Sequence, residues 1–572
     1  MMYEVEVWPK LTVGWGADSL KLRFNWEFPL TISPWDHNTV YVGSQYVHVT
    51  KDGGQSWQMI SPDLTKNDKS RQVASGGLTP DNIGVEYSGV VFAIAESPKQ
   101  KGLIWAGTND GNVQVTRDGG QSWTNVTANL PGAPAWGTID NIEPSRYDAG
   151  TAYLTIDGHQ ANSFDPWVYK TADFGKTWKL ITNGLAKTPL SYAHIVREDP
   201  VRKGLLYLGT EGGMYISFDD GANWQSFQSN LPYAPVYWIA VQERFSDLVI
   251  ATYGRGFYIV DDITPLRTID ASTMGEALHL FAPRAATYRF RAAEAPYMAE
   301  EDRNGIDGWT PPYGAGISFW VKKAGDKDSA TVTIADSAGT TVRTMTVAAK
   351  TGFNRTWWDL RGERTTEARI RVSPPGSPWF TVNAEGHAAP AFGRYALLQP
   401  PGKYTVTVTL GKEKQSQSFV VLKDPATSGS AATIAEQMTF EKGVMEDINA
   451  TADLVNNIEK MRAQLALMKA QASGADKARQ VAVIDSMDAK LVQVEGELRQ
   501  VRATGRGQDA NRQPSRIAEH LLYLVGTVGN SDMQPTSQAK AVAKELHEEL
   551  RKVKARADAL LAKNPTGVKP VF

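Results

Sequence analysis

Two carboxylates, Asp110 and Glu211, stand just beyond short apolar strands that end in Gly-Thr, Ile104-Trp105-Ala106-Gly107-Thr108 and Leu206-Tyr207-Leu208-Gly209-Thr210. Paired carboxylates at such hairpins offer the chemistry of a glycosidase, one group protonating the leaving oxygen while the other activates water or attacks the sugar. Hairpins of the same type carry Asn109, Asp157, His159, Tyr253 and Arg255, a mixture suited to holding a sugar or a peptide. The plainer reading is that all of these are turn residues whose hydrogen bonds close locally. The residue types alone support both.

Other chemistries find less support. There is no cysteine, so disulfides, thiolate metal sites and a cysteine nucleophile are excluded. No two of the eight histidines have the helical spacing of a zinc pair, and no phosphate-cradling Gly-Lys-Ser/Thr loop or Gly-x-Ser-x-Gly elbow occurs. The expected metal and cofactor content is therefore none, with Asp63, Asp68 and Asp81 as loop carboxylates able to take calcium, although without an EF-hand pattern. Sixty Lys and Arg against 62 Asp and Glu leave a net charge of −2, which gives no electrostatic case for nucleic acid or an anionic membrane. No apolar run is long enough for a membrane span, and the start, Met1-Met2-Tyr3-Glu4-Val5, lacks the basic and apolar segments of an export signal.

The elements that must position such a site announce themselves by repetition. Four copies of Ser/Thr-x-Asp-x-Gly-x-x-Trp occur in the first 230 residues, with Asp52 and Trp57, Asp118 and Trp123, Asp173 and Trp178, and Asp219 and Trp224, at intervals of 66, 55 and 46 residues. The Asp accepts from backbone N–H groups a few residues on, the Gly takes a positive φ and the Trp covers the hairpin. The four Asp residues are therefore read as structural. Apolar strands precede each box, and a fifth copy, Trp238-Ile239-Ala240-Val241 with Leu248 to Gly254, lacks the final Gly-x-x-Trp. The spacing predicts a β-propeller of about five blades. It closes in this chain if Leu20 to Trp26 adds a strand, and otherwise is partial and completed by another polypeptide.

The boxes, with Trp57-Gln58-Met59-Ile60-Ser61-Pro62-Asp63-Leu64-Thr65, resemble the Asp-box (BNR-repeat) propellers of sortilin-like receptors and of bacterial proteins labelled glycosyl hydrolases. The resemblance covers about residues 20–266. It implies an exported protein, periplasmic or extracellular, with the cytoplasm as the alternative for a sequence without a signal. Asp-boxes sit on the blade periphery in enzymes and non-enzymes alike, so the resemblance does not decide activity.

The expected organisation is multidomain and mainly β: a propeller over 1–266, a linker over 267–284, a β-sandwich over 285–425, a linker over 426–432 and a helical bundle over 433–565. The run Asp336 to Arg343, with Trp358-Asp359-Leu360 and Pro400-Pro401-Gly402-Lys403-Tyr404, resembles the immunoglobulin-like domain of flagellar hook-capping proteins. Beyond Ser430 the apolar period changes from 2 to about 3.5, which predicts three long helices and one short in an antiparallel bundle. Because no sialidase-type arginine cluster recurs among the blades, the function expected from sequence is a non-catalytic propeller scaffold. It would be part of an assembly with a protein partner and recognise protein or carbohydrate. The alternative is a glycoside hydrolase using top-face carboxylates.

Overall fold

The computed structural model describes residues 4–73, 87–288, 312–383, 385–504 and 512–562. It divides into two compact units, Met1–Asp270 and Ala271–Phe572.

The first unit is a series of five small antiparallel sheets, four of four strands and the last of three, each packed on the next in chain order. The strand ladders follow sequence within every sheet, the arrangement of propeller blades. Interior strands such as Ile104–Thr108 and Leu206–Thr210 are buried along their whole length. A neighbouring sheet covers each of their faces, so β-branched and aromatic residues run on without polar alternation. Buried glutamates clasp neighbouring sheets. Glu96 accepts from Ser33 at 2.5 Å and Tyr41 at 3.1 Å, and Glu198 accepts from Ser145 at 2.6 Å and Tyr153 at 3.5 Å. Leu20 to Trp26, expected to add a strand, runs as a loop. It is pinned by buried Arg23, whose guanidinium donates to the Gly89 carbonyl and to Asp63.

The boxes close locally. In each copy the Asp accepts from the backbone N–H four residues on, as Asp118 does from Ser122 at 2.9 Å, and the Ser/Thr hydroxyl donates to the same Asp. These bonds stabilise the charged carboxyl, which in Asp52 and Asp118 is drawn down to about 2. The residue after the Asp needs a left-handed backbone; Gly53 and Gly119 provide it freely, whereas Phe174 and Asp220 adopt it at φ 61° and 64°. The Trp123 indole N–H donates to the Ile60 carbonyl of the preceding sheet at 2.9 Å, and Trp224 does the same to Ile181 at 2.8 Å. Trp123→Phe removes that bond together with the packing of the indole's second ring; an expected cost of at least about 1 kcal/mol is measurable by urea denaturation.

The second unit begins earlier than the linker reading allowed. After a first short helix, α1 (Thr264–Thr268), comes α2 (Ala271–Gly275). Leu278–Leu280 then pairs with Ala315–Val321 as an edge strand rather than serving as linker. A three-stranded and a five-stranded sheet share a core of Ile317, Phe319, Trp358, Val332, Val406 and Phe419. The helices follow as α3 (Ala431–Gln471), α4 (Lys477–Leu498), α5 (Ile517–Val528) and α6 (Ser537–Leu561). Ser430 caps α3 by accepting from Thr433 N, which starts the helix before the expected 433. Their apolar stripes meet in one core that includes Ile448, Val455, Leu491, Leu521 and Leu550. No helix among the described residues is long and apolar enough to cross a membrane.

Candidate functional site

One irregularity recurs at the same place in four sheets. Where the first strand meets the second, the ladder skips a residue: Phe92 in the second sheet, Asp140 in the third, His194 in the fourth and Tyr237 in the fifth. A bulge of this kind leaves a residue unpaired and re-aims its side chain, and bulges concentrate beside active sites. Three of these four residues meet. His194, 3% exposed, has Nδ1 3.0 Å from Asp140 and Nε2 3.0 Å from Glu211, while Tyr237 stacks on its ring at 4.1 Å.

Asp157, from the end of the third sheet's second strand, completes the group. Oxygen atoms of Asp140 and Asp157 and a ring nitrogen of His194 all lie within 4.8 Å of one another. Asp157 accepts from His159 Nδ1 at 2.7 Å, and the His159 ring stacks on Tyr192 at 5.0 Å. Tyr253, largely exposed, stands 5.6 Å from Tyr237. Glu27, ahead of the first sheet, adds its negative field at Asp140 and Tyr237.

The electrostatics follow from this crowding. Burial drives the Asp140 carboxyl up to about 6, although its bond to His194 and the imidazolium charge pull the other way. Burial opposes charge on His194, but the bond and charge of Asp140, the bond of Glu211 and the charge of Asp157 outweigh it, and the ring is held more basic than usual. With a carboxylate on each nitrogen, the ring donates from both sides as an imidazolium. It fixes two carboxylates on opposite sides of one ring. With the ring deprotonated, Asp140, Asp157 and His194 form a donor set of the kind that holds a divalent cation.

Of the residues expected from sequence, the structure brings Asp157, His159, Glu211 and Tyr253 together. Asn109 and Asp110 are used otherwise. Asn109 Oδ1 accepts from Gly89 N and Val90 N, both at 3.0 Å, and buried Asp110 accepts from Lys66 N at 2.7 Å and Thr108 Oγ1 at 2.6 Å. Asp110 is thus a loop brace, and the pairing of Asp110 with Glu211 is replaced by that of Asp140 with Glu211. Arg255 is exposed, and its guanidinium donates to the Gly254 carbonyl at 3.4 Å. The loop carboxylates read as calcium ligands are engaged as well: Asp63 pairs with Arg23 at 3.1 Å and Asp68 accepts from Ser70 N at 3.0 Å, while Asp81 lies outside the described residues. Asp140, His194, Tyr192, Tyr237 and Glu27 were not singled out from the sequence.

Comparison with known proteins bears on what such a site does. No family model matches the chain. The chain is 21% identical over 267 residues to the oligoxyloglucan-reducing end-specific xyloglucanase of Emericella nidulans, a match covering 40% of this chain and 31% of that protein. It therefore spans less than a third of that relative's length. The expectation of a non-catalytic scaffold is corrected by this match, since the curated relative is a hydrolase. Solved structures with some similarity include the GH74 xyloglucanase of Xanthomonas campestris, 13% identical over 73% of this chain and 62% of that one with a TM-score of 0.31. YCF48 of Cyanidioschyzon merolae is 14% identical over 57% and 84%, with a TM-score of 0.21.

His194→Gln removes the cation that pulls the Asp140 carboxyl down. If Asp140 donates a proton in a reaction at this site, the descending limb of its pH–rate profile should move above pH 6 as maximal rate falls. A limb that stays in place would show that the ring does not govern Asp140.

Proposed function

We propose that the chain is a glycoside hydrolase acting on a polysaccharide of the xyloglucan class at the group centred on His194. The observation that carries this reading is the convergence of Asp140, Asp157 and Glu211 on one buried imidazolium, beside the aromatic faces of Tyr237 and Tyr253. The curated xyloglucanase match supports the substrate class.

Asp140 is the acid, because its raised carboxyl carries a proton near pH 6 that it can give to the leaving glycosidic oxygen. Glu211, across the ring, accepts a proton from water as that water attacks the anomeric carbon from the opposite face. Direct attack by water on the face opposite the acid inverts the anomeric centre. Asp157 and His159 hold the sugar hydroxyls, and the tyrosines offer flat apolar faces to the rings. In this reading the boxes mark a BNR-type propeller of an exported protein, and the second unit's sandwich is an immunoglobulin-like module that docks or spaces its neighbours.

The test is incubation of the purified chain with xyloglucan, following new reducing ends and their anomeric configuration by proton NMR. Release with inverted configuration is expected. Absence of release from xyloglucan and from unbranched glucans overturns the proposal.

A further inference from the structure

The two end sheets of the first unit each leave bare a face that every interior sheet has covered. In the fourth sheet Ile195, Met214 and Ile216 point at the fifth sheet and are 0%, 0% and 2% exposed. Register places Trp238, Phe257 and Ile259 at the same ladder positions of the fifth sheet, because Trp238 and Phe257 pair with Ala251 as Ile195 and Met214 pair with Gly209. These three are 53%, 79% and 60% exposed. Val236, Ile239 and Leu248, on the other side of the fifth sheet, are buried against the fourth. One face is thus a finished interface; on the other, Trp238 meets the Arg197 guanidinium at 4.5 Å, and no sheet among the described residues covers Phe257 and Ile259.

The opposite end shows the complementary half. Leu30 in the first sheet stands where Ile94 and Val196 stand in the second and fourth; those are 6% and 0% exposed against the preceding sheet, and Leu30 is 63% exposed. The box of the first sheet carries the marks of the same missing neighbour. In later boxes the second glycine position lies against the residue that follows the preceding sheet's last strand: Gly120 against Ile60, Gly175 against Val126 and Gly221 against Ile181. Gly54 lies against Val5, which occupies that place without a sheet behind it. The indole N–H of Trp57 is buried and has no hydrogen-bond partner among the described residues, whereas those of Trp123 and Trp224 donate to the preceding sheet's carbonyl. Trp178 also lacks that bond, its ring being packed edge-on against Trp105 at 5.8 Å.

From this we infer that the uncovered faces receive at least one further blade of the same kind. Its occupant is a four-stranded antiparallel sheet with an apolar first strand, whose leading face packs on Phe257 and Ile259 and whose final strand precedes the box of the first sheet. The interface it makes continues the four already present within the chain, with the same residue classes at the same register. Propellers close at four to eight blades, so a ring that holds these five has room for one to three more. A second copy of the chain fits less well, since sheet 5 of one copy on sheet 1 of another is a head-to-tail contact that repeats rather than closes.

The experiment lengthens the full chain at its N-terminus with a second copy of its own residues 87–182, which supply two blades. It compares this protein with the unextended chain by thermal denaturation, binding of the dye anilinonaphthalene sulfonate and light scattering. The expected result is a monomer whose first-unit Tm rises by about 5 °C or more and whose dye fluorescence falls at least about twofold. The variant Phe257→Glu/Ile259→Glu should lower dye binding of the unextended chain without lowering its Tm, and should erase the gain in the extended one. Unchanged Tm and dye binding on extension overturn the inference. So does a stable dimer of the unextended chain that the double variant converts to monomer, because the occupant is then a second copy. None of these readouts depends on hydrolysis, so the result stands apart from the proposed activity.

Discussion

Asp140→Asn is expected to lower kcat/KM on xyloglucan by about 10²- to 10⁴-fold, the range associated with losing a general acid. The fold should not suffer. A carboxyl whose folded pKa is raised from 3.8 to about 6 binds its proton more tightly in the folded state, so its contribution to stability declines as pH rises between those values. Asn carries no charge to desolvate, and the Tm of the variant at pH 7 should equal or exceed that of the parent. The parent's kcat/KM should itself descend above about pH 6 as Asp140 loses its proton. A variant that keeps its activity, or loses it only together with its folded circular dichroism, contradicts the role given to Asp140.

The second large effect is expected in the helical region, at a buried ion network. Arg462 on α3 bonds to Glu459 at 2.5 Å, to Asp488 at 2.9 Å and to Glu495 at 3.3 Å, and Arg499 pairs with Glu495 at 2.5 Å. Glu459 and Glu495 have no exposed side chain, and Glu459 also accepts from the backbone N–H of Arg371 and Val372, which fastens the 365–395 segment to α3. Burial raises the Glu495 carboxyl, and the two arginines oppose that rise. Arg462→Ala leaves two buried carboxylates facing each other with Arg499 as the remaining cation. Breaking such a network costs about 3–5 kcal/mol. Urea denaturation followed by circular dichroism measures it, and a loss under about 1 kcal/mol would contradict the burial of the network. Adding Glu495→Gln to that variant removes one of the stranded charges and should recover part of the loss.

What could be read from the sequence was what is closed locally. The boxes fold through bonds spanning two to four residues, as from Asp118 to Thr116 and Ser122, so their spacing betrays them. The helical stripes of α3 to α6 are equally local in period. The site is different in kind. Asp140, His194 and Tyr237 meet because four first strands carry a bulge at one register position, and register is set between strands rather than along one. A trace of it was nevertheless present. Aligned on the apolar residue two places on, Phe92-Ala93-Ile94, Asp140-Asn141-Ile142, His194-Ile195-Val196 and Tyr237-Trp238-Ile239 form one column near the start of each first strand, and three of its four leading residues belong to the site. Asp110 misled because its turn resembles a site-bearing hairpin, while its carboxyl is consumed by Lys66 N and Thr108. The strand Leu278–Leu280 was missed because it pairs with residues far along the chain, at Phe319–Val321.

The most direct measurement is the rate of reducing-end release from xyloglucan at pH 5 by the parent chain and by Asp140→Asn/Glu211→Gln, at equal folded concentration. Release by the parent and none by the double variant is the expected result. Equal rates for the two proteins would show that the carboxylates around His194 do not cleave the sugar bond.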